Sequence, residues 1–415
     1  MLKALSSRLH EPWRIFGSAM SSVPPDIMPN RSEEVAECSR NEAYDFNRYA
    51  LIVYVGTPIA IAGVLCNWML FRLFTKSKST KSPALYLLLL AILDLLMDLL
   101  YIPFFTVDAL AIYHKNEFLY HIWHDYAMFV FGLSRLVQFA STYIILCATI
   151  ERFIVVAEIN SLNFLISSTG RYSTIAIVLL GVAILRLPAF FEYYITFRPD
   201  CPLYENYDYT PLLAGWEHYQ MFNFYVMTVL HIFVPFALLL MLNISIVVVT
   251  KRKLSGIGWA VTTFIDMPKV SEMIRKESIN SNKRRRDELR YATWTMVSIA
   301  TTYLCCSSLS LFIGVLENVW PENTLLFQED GSSTKFYTLA SDTVSILVAV
   351  NSLLRIFVYL LCSPNFRDQL VKEYQCLKWI TCGADLDGKT KKIKEEKQLF
   401  IGYQNLIMGA RVDML

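Results

Sequence analysis

Hydrophobic residues occur in seven long blocks separated by short polar stretches. The blocks run roughly over 49–74, 83–105, 122–156, 173–197, 219–250, 288–317 and 336–362. Each is long enough to cross a bilayer as a helix, which needs about 20 predominantly apolar residues. The third, fifth and sixth exceed that length, so we expect them to tilt or to project into water. The pattern predicts an all-α membrane protein with a seven-transmembrane helix bundle over 49–362.

Polar segments flank the bundle on both sides. Residues 1–48 contain no long apolar run, so we expect an N-terminal tail without a cleavable signal peptide. In this tail Asn30 opens an Asn-Arg-Ser triplet, which is a glycosylation acceptor sequence. Residues 363–415 are expected to form a cytoplasmic amphipathic helix and tail, because apolar residues such as Phe366 and Leu370 share one helical face.

The distribution of Lys and Arg sets the expected orientation of the bundle. The link after the first block carries Lys76, Lys78 and Lys81 and no acid, and the link after the fifth block contains the basic run 283–286. The links on the opposite side are acidic. We therefore expect a multi-pass protein of the plasma membrane, with its N-terminus extracellular and its C-terminus in the cytosol.

Composition narrows the classes of function. Hydrophobic residues make up 54% of the chain and charged residues only 18%, against about 25% charged residues in soluble proteins. A net charge of +2 is too small to suggest a nucleic-acid partner. The six histidines are scattered and no nucleophile or metal-ligand motif appears. We therefore expect a protein of the lipid bilayer that is not an enzyme and has no metal site or cofactor.

Several motifs resemble those of rhodopsin-like (class A) G-protein-coupled receptors, over roughly residues 49–378. Residues 151–153 read Glu-Arg-Phe at the end of the third block and resemble that family's Asp/Glu-Arg-Tyr motif. Residues 90–94 read Leu-Ala-Ile-Leu-Asp and resemble its Leu-Ala-x-x-Asp motif. An arginine at the membrane edge needs a partner or an aqueous vestibule. The resemblance implies that Glu151 holds Arg152 at rest, and that a heterotrimeric G protein, and also arrestin, are the cytoplasmic partners.

The seventh block departs from the family pattern. Residues 351–359 read Asn-Ser-Leu-Leu-Arg-Ile-Phe-Val-Tyr, where the family usually has Asn-Ser-x-x-Asn-Pro-x-x-Tyr. Asn351 and Tyr359 match, but Arg355 replaces the usual asparagine. In this family the position of Asp94 belongs to a sodium site, and a guanidinium on the seventh helix would compete for that carboxylate. We expect an Asp94–Arg355 ion pair in place of sodium; the alternative is that Arg355 snorkels to the cytosolic interface.

Cysteine positions depart from the family as well. The family's helix-three cysteine position holds Ala127, and of nine cysteines only Cys38 and Cys201 lie outside the membrane on the oxidising side. An even pair in that compartment favours a disulfide between them. Cys376 and Cys382, near the end of the expected amphipathic helix, are candidate palmitoylation sites. Reduced cytosolic thiols are the alternative for these two residues.

A narrower resemblance suggests the ligand. Residues 187–192 read Leu-Pro-Ala-Phe-Phe-Glu and are similar to a stretch in invertebrate, including nematode, receptors for FMRFamide-like neuropeptides. The resemblance implies an extracellular peptide ligand with a basic, aromatic and amidated end. Acidic and aromatic side chains near the outer ends of the helices could pair with and stack on its arginine. These candidates are Asp108, Trp123, Asp125, Glu192, Trp216 and Glu317. Each could instead be an interfacial aromatic or a solvated acid.

Other functions fit the sequence less well. A retinal-binding opsin needs a lysine inside the seventh block, and Lys335 lies only at its outer edge. A biogenic-amine receptor would need an aspartate in the outer part of the third block, where residues 129–134 contain no acid. A transporter usually shows internal repeats, and none is visible. A chemosensory receptor of the same fold for a small-molecule ligand stays open.

Overall fold

A computed structural model of the chain describes residues 45–76, 84–265, 272–319, 324–326 and 333–374. Within these residues, seven helices are long and apolar enough to cross a membrane. They are α1 (Phe46–Lys76), α2 (Leu85–Tyr113), α3 (Glu117–Ala157), α4 (Ser168–Phe191), α5 (Glu217–Arg252), α6 (Arg290–Glu317) and α7 (Lys335–Cys362). Helical backbone continues beyond α5 to Ile265, and the helix that contains α6 begins at Glu272. The predicted seven-helix bundle is confirmed.

The long third helix lies at the centre of the bundle. It packs against α2, α4, α5 and α6, while α1 packs between α2 and α7 and α6 packs against α7. At 41 residues, α3 is about twice the length that the bilayer core requires. It therefore passes through the whole membrane and reaches beyond it.

Prolines change the local geometry of four spanning helices. A proline inside a helix removes one backbone hydrogen bond and crowds the preceding turn, and a π-helical stretch relieves that crowding. Such stretches lie just before Pro58 in α1, around Pro103 in α2 and just before Pro235 in α5. In α4, Pro188 lies in a 3-10 turn over Leu187–Phe191 that ends the helix.

The predicted outer end of the fourth spanning helix, at residue 197, is wrong. The helix α4 stops at Phe191, and the next residues form the strand β1 (Tyr193–Phe197), which pairs antiparallel with β2 (Tyr207–Pro211). Tyr193 lies opposite Pro211 in this hairpin. Aromatic and β-branched residues extend the hydrophobic run past residue 191, but they favour a strand. The hairpin lies in the link between α4 and α5.

Polar caps place three helix starts earlier in the chain than hydrophobicity does. Asn116 accepts a hydrogen bond from the backbone N–H of Leu119 at 3.2 Å and so begins α3. Ser167 accepts from Gly170 at 3.0 Å at the start of α4, and Thr334 caps α7. A side-chain oxygen at this position accepts a hydrogen bond from an N–H of the first turn. The first turn of each of these helices can therefore be polar, and the helix starts before its apolar run does.

Residues Pro364–Glu373 form the short helix α8, in a unit of its own. It falls on the segment that the sequence predicts to be amphipathic, and its position on the inner leaflet stays a prediction. Four residues with predicted modifications lie outside the described residues: Asn30, Cys38, Cys376 and Cys382. Glycosylation, disulfide pairing and palmitoylation at these positions therefore also stay predictions.

A glycine allows α1 and α2 to approach closely. A Cβ atom at position 63 would lie 2.3 Å from Oδ2 of Asp98. Close to this contact, Ala60, Tyr101 and Ile346 form a buried cluster that joins α1, α2 and α7. Because no side chain stands between the helices at position 63, polar groups of α1 reach the carboxylate of α2.

We expect the substitution Gly63→Ala to destabilise the bundle by about 1–3 kcal/mol, as overpacking of a close contact does. The measurement is the thermal unfolding midpoint of the purified protein in detergent, together with the amount at the cell surface. Gly181→Ala in α4 is the matched control, since a Cβ there meets nothing within 4 Å. Equal midpoints for the two variants would contradict the close-packing argument.

Candidate functional site

An ion pair lies between α2 and α7 inside the bundle. Nη1 of Arg355 contacts Oδ2 of Asp94, and the two side chains are only 2% and 4% exposed. The hydroxyl of Ser141 on α3 donates to Oδ1 of Asp94 at 3.3 Å. Arg355 therefore points into the bundle and does not snorkel to the cytosolic interface. Its guanidinium is the cationic group beside this carboxylate.

A second buried carboxylate, Asp98, lies one turn further along α2. Its Oδ2 accepts hydrogen bonds from Ser352 at 2.7 Å and from Asn67 at 3.1 Å. Asn67 also donates to the hydroxyl of Ser352 at 2.8 Å. These bonds join α1, α2 and α7. Asp98 was not among the predicted site residues, although its i+4 spacing from Asp94 places both acids on one helical face and an acid inside an apolar block is a functional candidate.

The other motif residues of α7 lie on the same face as Arg355. Asn351, Arg355 and Tyr359 are four residues apart and therefore line up along the helix, and all three are buried. The ring of Tyr359 meets Phe74 of α1 edge to face, with centroids 5.5 Å apart. The predicted switch residues of α7 thus line one buried face of the helix, from which Arg355 contacts α2 and Tyr359 contacts α1.

At the inner end of the bundle, Glu151 pairs with a helix-four residue. Arg171 donates from Nη2 to Oε1 of Glu151 at 2.8 Å and from Nε to both carboxylate oxygens at 3.1 Å. Arg152 donates from Nε to Oγ1 of Thr293 on α6 at 3.0 Å. Glu151 also acts electrostatically on Arg152, so the expected hold of Glu151 on Arg152 stays a prediction. Adjacent residues of a helix face different directions, so the carboxylate contacts α4 while the guanidinium contacts α6.

Two of the six predicted ligand residues are buried acids near the outer ends of their helices. Glu192, where α4 ends, accepts hydrogen bonds on Oε1 from Tyr219 at 2.8 Å and from Asn223 at 3.1 Å. Glu317, at the end of α6, accepts from the hydroxyl of Tyr337 on α7 at 2.7 Å. Their side chains face the interior of the bundle, so neither residue is a solvated acid.

Two buried arginines accompany these acids, and neither was among the predicted site residues. Arg135 of α3 lies 4.9 Å from the ring centroid of Phe131, and Arg186 of α4 lies 4.9 Å from that of Phe139. Both guanidiniums interact electrostatically with Glu192, and Arg135 does so with Glu317 as well. We call Arg135, Arg186, Glu192 and Glu317 the outer charged layer. The available signal was an arginine inside a predicted span, where ionisable residues are costly.

The other four predicted ligand residues do not join this layer. Trp123 is buried in helix packing, and its indole N–H donates to the backbone oxygen of Phe104 at 2.9 Å. Asp108 is also buried, near the outer end of α2. Asp125 and Trp216 are exposed, the latter with 66% of its surface accessible. Hydrophobicity identifies the outer ends of helices but not the direction in which each side chain points.

The hairpin covers the outer end of α3 with aromatic rings. Tyr207 stacks on His124 with ring centroids 4.0 Å apart, and its hydroxyl is hydrogen-bonded to His121 at 2.8 Å. Burial raises the pKa of Tyr207 and of Tyr209, so both phenols stay neutral. Cys201, between the strands, is disulfide-bonded. Because Cys38 lies outside the described residues, the pairing of these two cysteines stays a prediction.

A narrow cleft lies between α2, α3 and α7, with a volume of about 20 Å³, which is room for about one water molecule. Its walls are mainly apolar and include Leu100, Phe104 and Val348, while Ser134 and Gln138 supply polar groups. The cleft therefore offers an apolar surface with few fixed charges, and it is distinct from the outer charged layer.

The seven spans and the arginine that joins the inner ends of α3 and α6 fit a rhodopsin-like (class A) G-protein-coupled receptor. The sequence comparison agrees with this class. The chain is 24% identical over 316 residues to the FMRFamide peptide receptor frpr-18 of Caenorhabditis elegans. The matched region covers 75% of this chain and 66% of that receptor, slightly under two thirds of its length. The chain fits a class A receptor of that kind. No family model matches it.

The Asp94–Arg355 pair predicts non-additive mutational effects. We expect Asp94→Asn or Arg355→Gln alone to destabilise the receptor by about 3–5 kcal/mol, because each leaves one buried charge without its partner. The double variant should recover most of that loss. Unfolding of the purified proteins in detergent measures these differences. Strictly additive losses would contradict a direct coupling between the two side chains.

Proposed function

We propose that this protein is a plasma-membrane G-protein-coupled receptor for an FMRFamide-like neuropeptide. The observation that carries the proposal is the similarity to an FMRFamide peptide receptor over 75% of the chain. The bias of Lys and Arg toward the links on one side supports an extracellular N-terminus and a cytosolic C-terminus. A Cys38–Cys201 disulfide would tether the N-terminal tail to the hairpin over the mouth of the bundle.

The outer charged layer supports a peptide with a basic residue. Glu317 is a carboxylate in a desolvated region, where a charge-assisted hydrogen bond with a ligand arginine is strong. It already interacts electrostatically with Arg135, so a ligand guanidinium would compete with this residue of α3. Competition of this kind would change the forces on α3 at its outer half.

The inner end of the same helix would carry the response. Arg152 lies 17 positions after Arg135, which corresponds to about 25 Å along a helix. Its 3.0 Å hydrogen bond to Thr293 joins α3 to α6, and we propose that this contact holds the two helices together at their inner ends. In the proposed mechanism the G protein takes over Arg152 when α3 and α6 separate, and arrestin binds the same opened cleft. Asp94 and Arg355 link α2 to α7 between these two ends.

The proposal is tested by expressing the receptor with a promiscuous G protein and recording calcium responses to an amidated-peptide library that includes Phe-Met-Arg-Phe-amide. We expect a response to peptides that end in Arg-Phe-amide. The variant Arg152→Ala should lose at least about 90% of the response while still binding peptide. The reason is that Arg152 is the charged residue proposed to contact the G protein.

Arg72→Ala is the matched control for this variant, because Arg72 is exposed on α1 and has no proposed role. It should respond like the wild-type receptor. Silence of the wild-type receptor toward every amidated peptide, combined with a response to small odorants, would replace the peptide proposal with the chemosensory one.

A further inference from the structure

We propose that Arg186 and Glu192 together recognise the C-terminal carboxamide of the peptide. This inference rests on the proposed function and names the part of the ligand that one site binds. Both residues belong to the outer charged layer, and they lie six positions apart where α4 ends. Their side chains are 3% and 5% exposed, so any polar group between them would be removed from water.

Glu192 has one carboxylate oxygen in use and one available. Both of its described hydrogen bonds, from Tyr219 and from Asn223, end on Oε1. Within the part of the chain that the structure describes, Oε2 accepts no hydrogen bond. The two donors on α5 fix the carboxylate in place, so that Oε2 is a positioned acceptor.

Arg186 is a buried donor with unused capacity. An arginine carries five N–H donors, yet this guanidinium makes no hydrogen bond to any other described residue. Its described contact is with the ring face of Phe139 at 4.9 Å. A buried donor that lacks a hydrogen bond is costly. Such a cost is tolerable at a site that a ligand group completes.

The two groups act on each other electrostatically but form no direct ion pair among the described contacts. The residues between them, Leu187–Phe191, form a 3-10 turn, in which the backbone rises about 2 Å per residue. Arg186 therefore offers unused donors before this turn, and Glu192 offers an unused acceptor after it. A ligand group that bridges the two must accept from Arg186 and donate to Glu192.

A primary carboxamide meets both requirements. Its carbonyl oxygen would accept from Arg186, and its NH₂ group would donate to Oε2 of Glu192. A free C-terminal carboxylate would also attract Arg186, but it has no proton to donate and would repel the carboxylate of Glu192. The pair would therefore select amidated peptides over their free-acid forms.

The backbone around Glu192 supports a fixed site. Its carbonyl oxygen accepts hydrogen bonds from the backbone N–H groups of Leu212 at 2.9 Å and of Ala214 at 3.3 Å. These bonds anchor the segment after β2 to the end of α4. The site thus lies where α4, α5 and the end of the hairpin meet, and its acceptor is held from the main chain as well as from α5.

The test compares Phe-Met-Arg-Phe-amide with the same peptide as a free acid, using the calcium response of cells with quantified receptor at the surface. The wild-type receptor should prefer the amide by at least about tenfold, a ratio within the strength of one charge-assisted hydrogen bond. Glu192→Gln should reduce this ratio by about tenfold, because the repulsion of the free acid is gone. Arg186→Gln should lower the potency of the amide by at least about tenfold.

Asp208→Asn is the matched control, because Asp208 is a hairpin acid that pairs with Arg198 at 2.6 Å and lies outside the proposed site. It should keep the wild-type ratio. Equal potency of the two peptides on the wild-type receptor would overturn the inference, and so would an unchanged ratio in Glu192→Gln. If that variant does not reach the surface, Arg186→Gln decides, and an unchanged amide potency overturns the inference.

Failure of the inference can be told apart from failure of the proposed function. If neither form of any Arg-Phe peptide activates the wild-type receptor, the ligand class is wrong and the carboxamide site falls with it. If the amide activates the receptor but the variants leave the amide-to-acid ratio and the amide potency unchanged, only the carboxamide site is wrong.

Discussion

The contact between Asp94 and Arg355 is the interaction on which the interior of this bundle depends. A charged group inside a membrane-spanning bundle is tolerated only when another group compensates it. Here the two charges come from α2 and α7, and Ser141 adds a bond from α3. The neighbouring carboxylate Asp98 is compensated differently, by neutral donors on α1 and α7. Four helices are therefore held by polar contacts that water cannot replace.

The other buried charges lie in two further places, the outer charged layer and the inner ends of the helices. Together with the Asp94–Arg355 contact this makes three sets of polar contacts, and α3 contributes a residue to each. Its outer half carries Arg135 near Glu192, its middle carries Ser141, and its inner end carries Glu151 and Arg152. Since α3 also packs against four other spans, it can transmit a change in one set to the others. This arrangement gives a physical route from the proposed outer ligand to the proposed inner partner.

Much of the fold could be predicted from hydrophobicity because each span needs a long apolar run. The end of α4 could not, because residues 193–197 are as hydrophobic as a helix end but are aromatic and β-branched. The roles of Arg135 and Arg186 were hidden for another reason. Their positions inside apolar blocks are visible in the sequence, but only helix rotation shows that they face Glu192.

Some contacts of the candidate site could be predicted from the sequence and others could not. Asp94 and Arg355 could be connected beforehand, because the departure from the family motif placed a cation opposite a known carboxylate position. The partner of Glu151 could not be predicted, since the choice between a neighbour in sequence and Arg171 of α4 depends on which side of α3 faces which helix. Trp123 shows the same limit, because its indole is used by the backbone of Phe104 and is not open to a ligand.

The close contact between Gly63 and Asp98 has a consequence for how this sequence can diverge. A side chain at position 63 and a carboxylate at position 98 cannot occupy the same space, so neither position is free to vary alone. A larger residue at 63 becomes acceptable only after 98 has become smaller, and Asn67 and Ser352 then lose the acceptor they share. Among receptors descended from a common ancestor, these four positions should therefore change as a group, and a lineage that changes one of them first passes through a less stable protein.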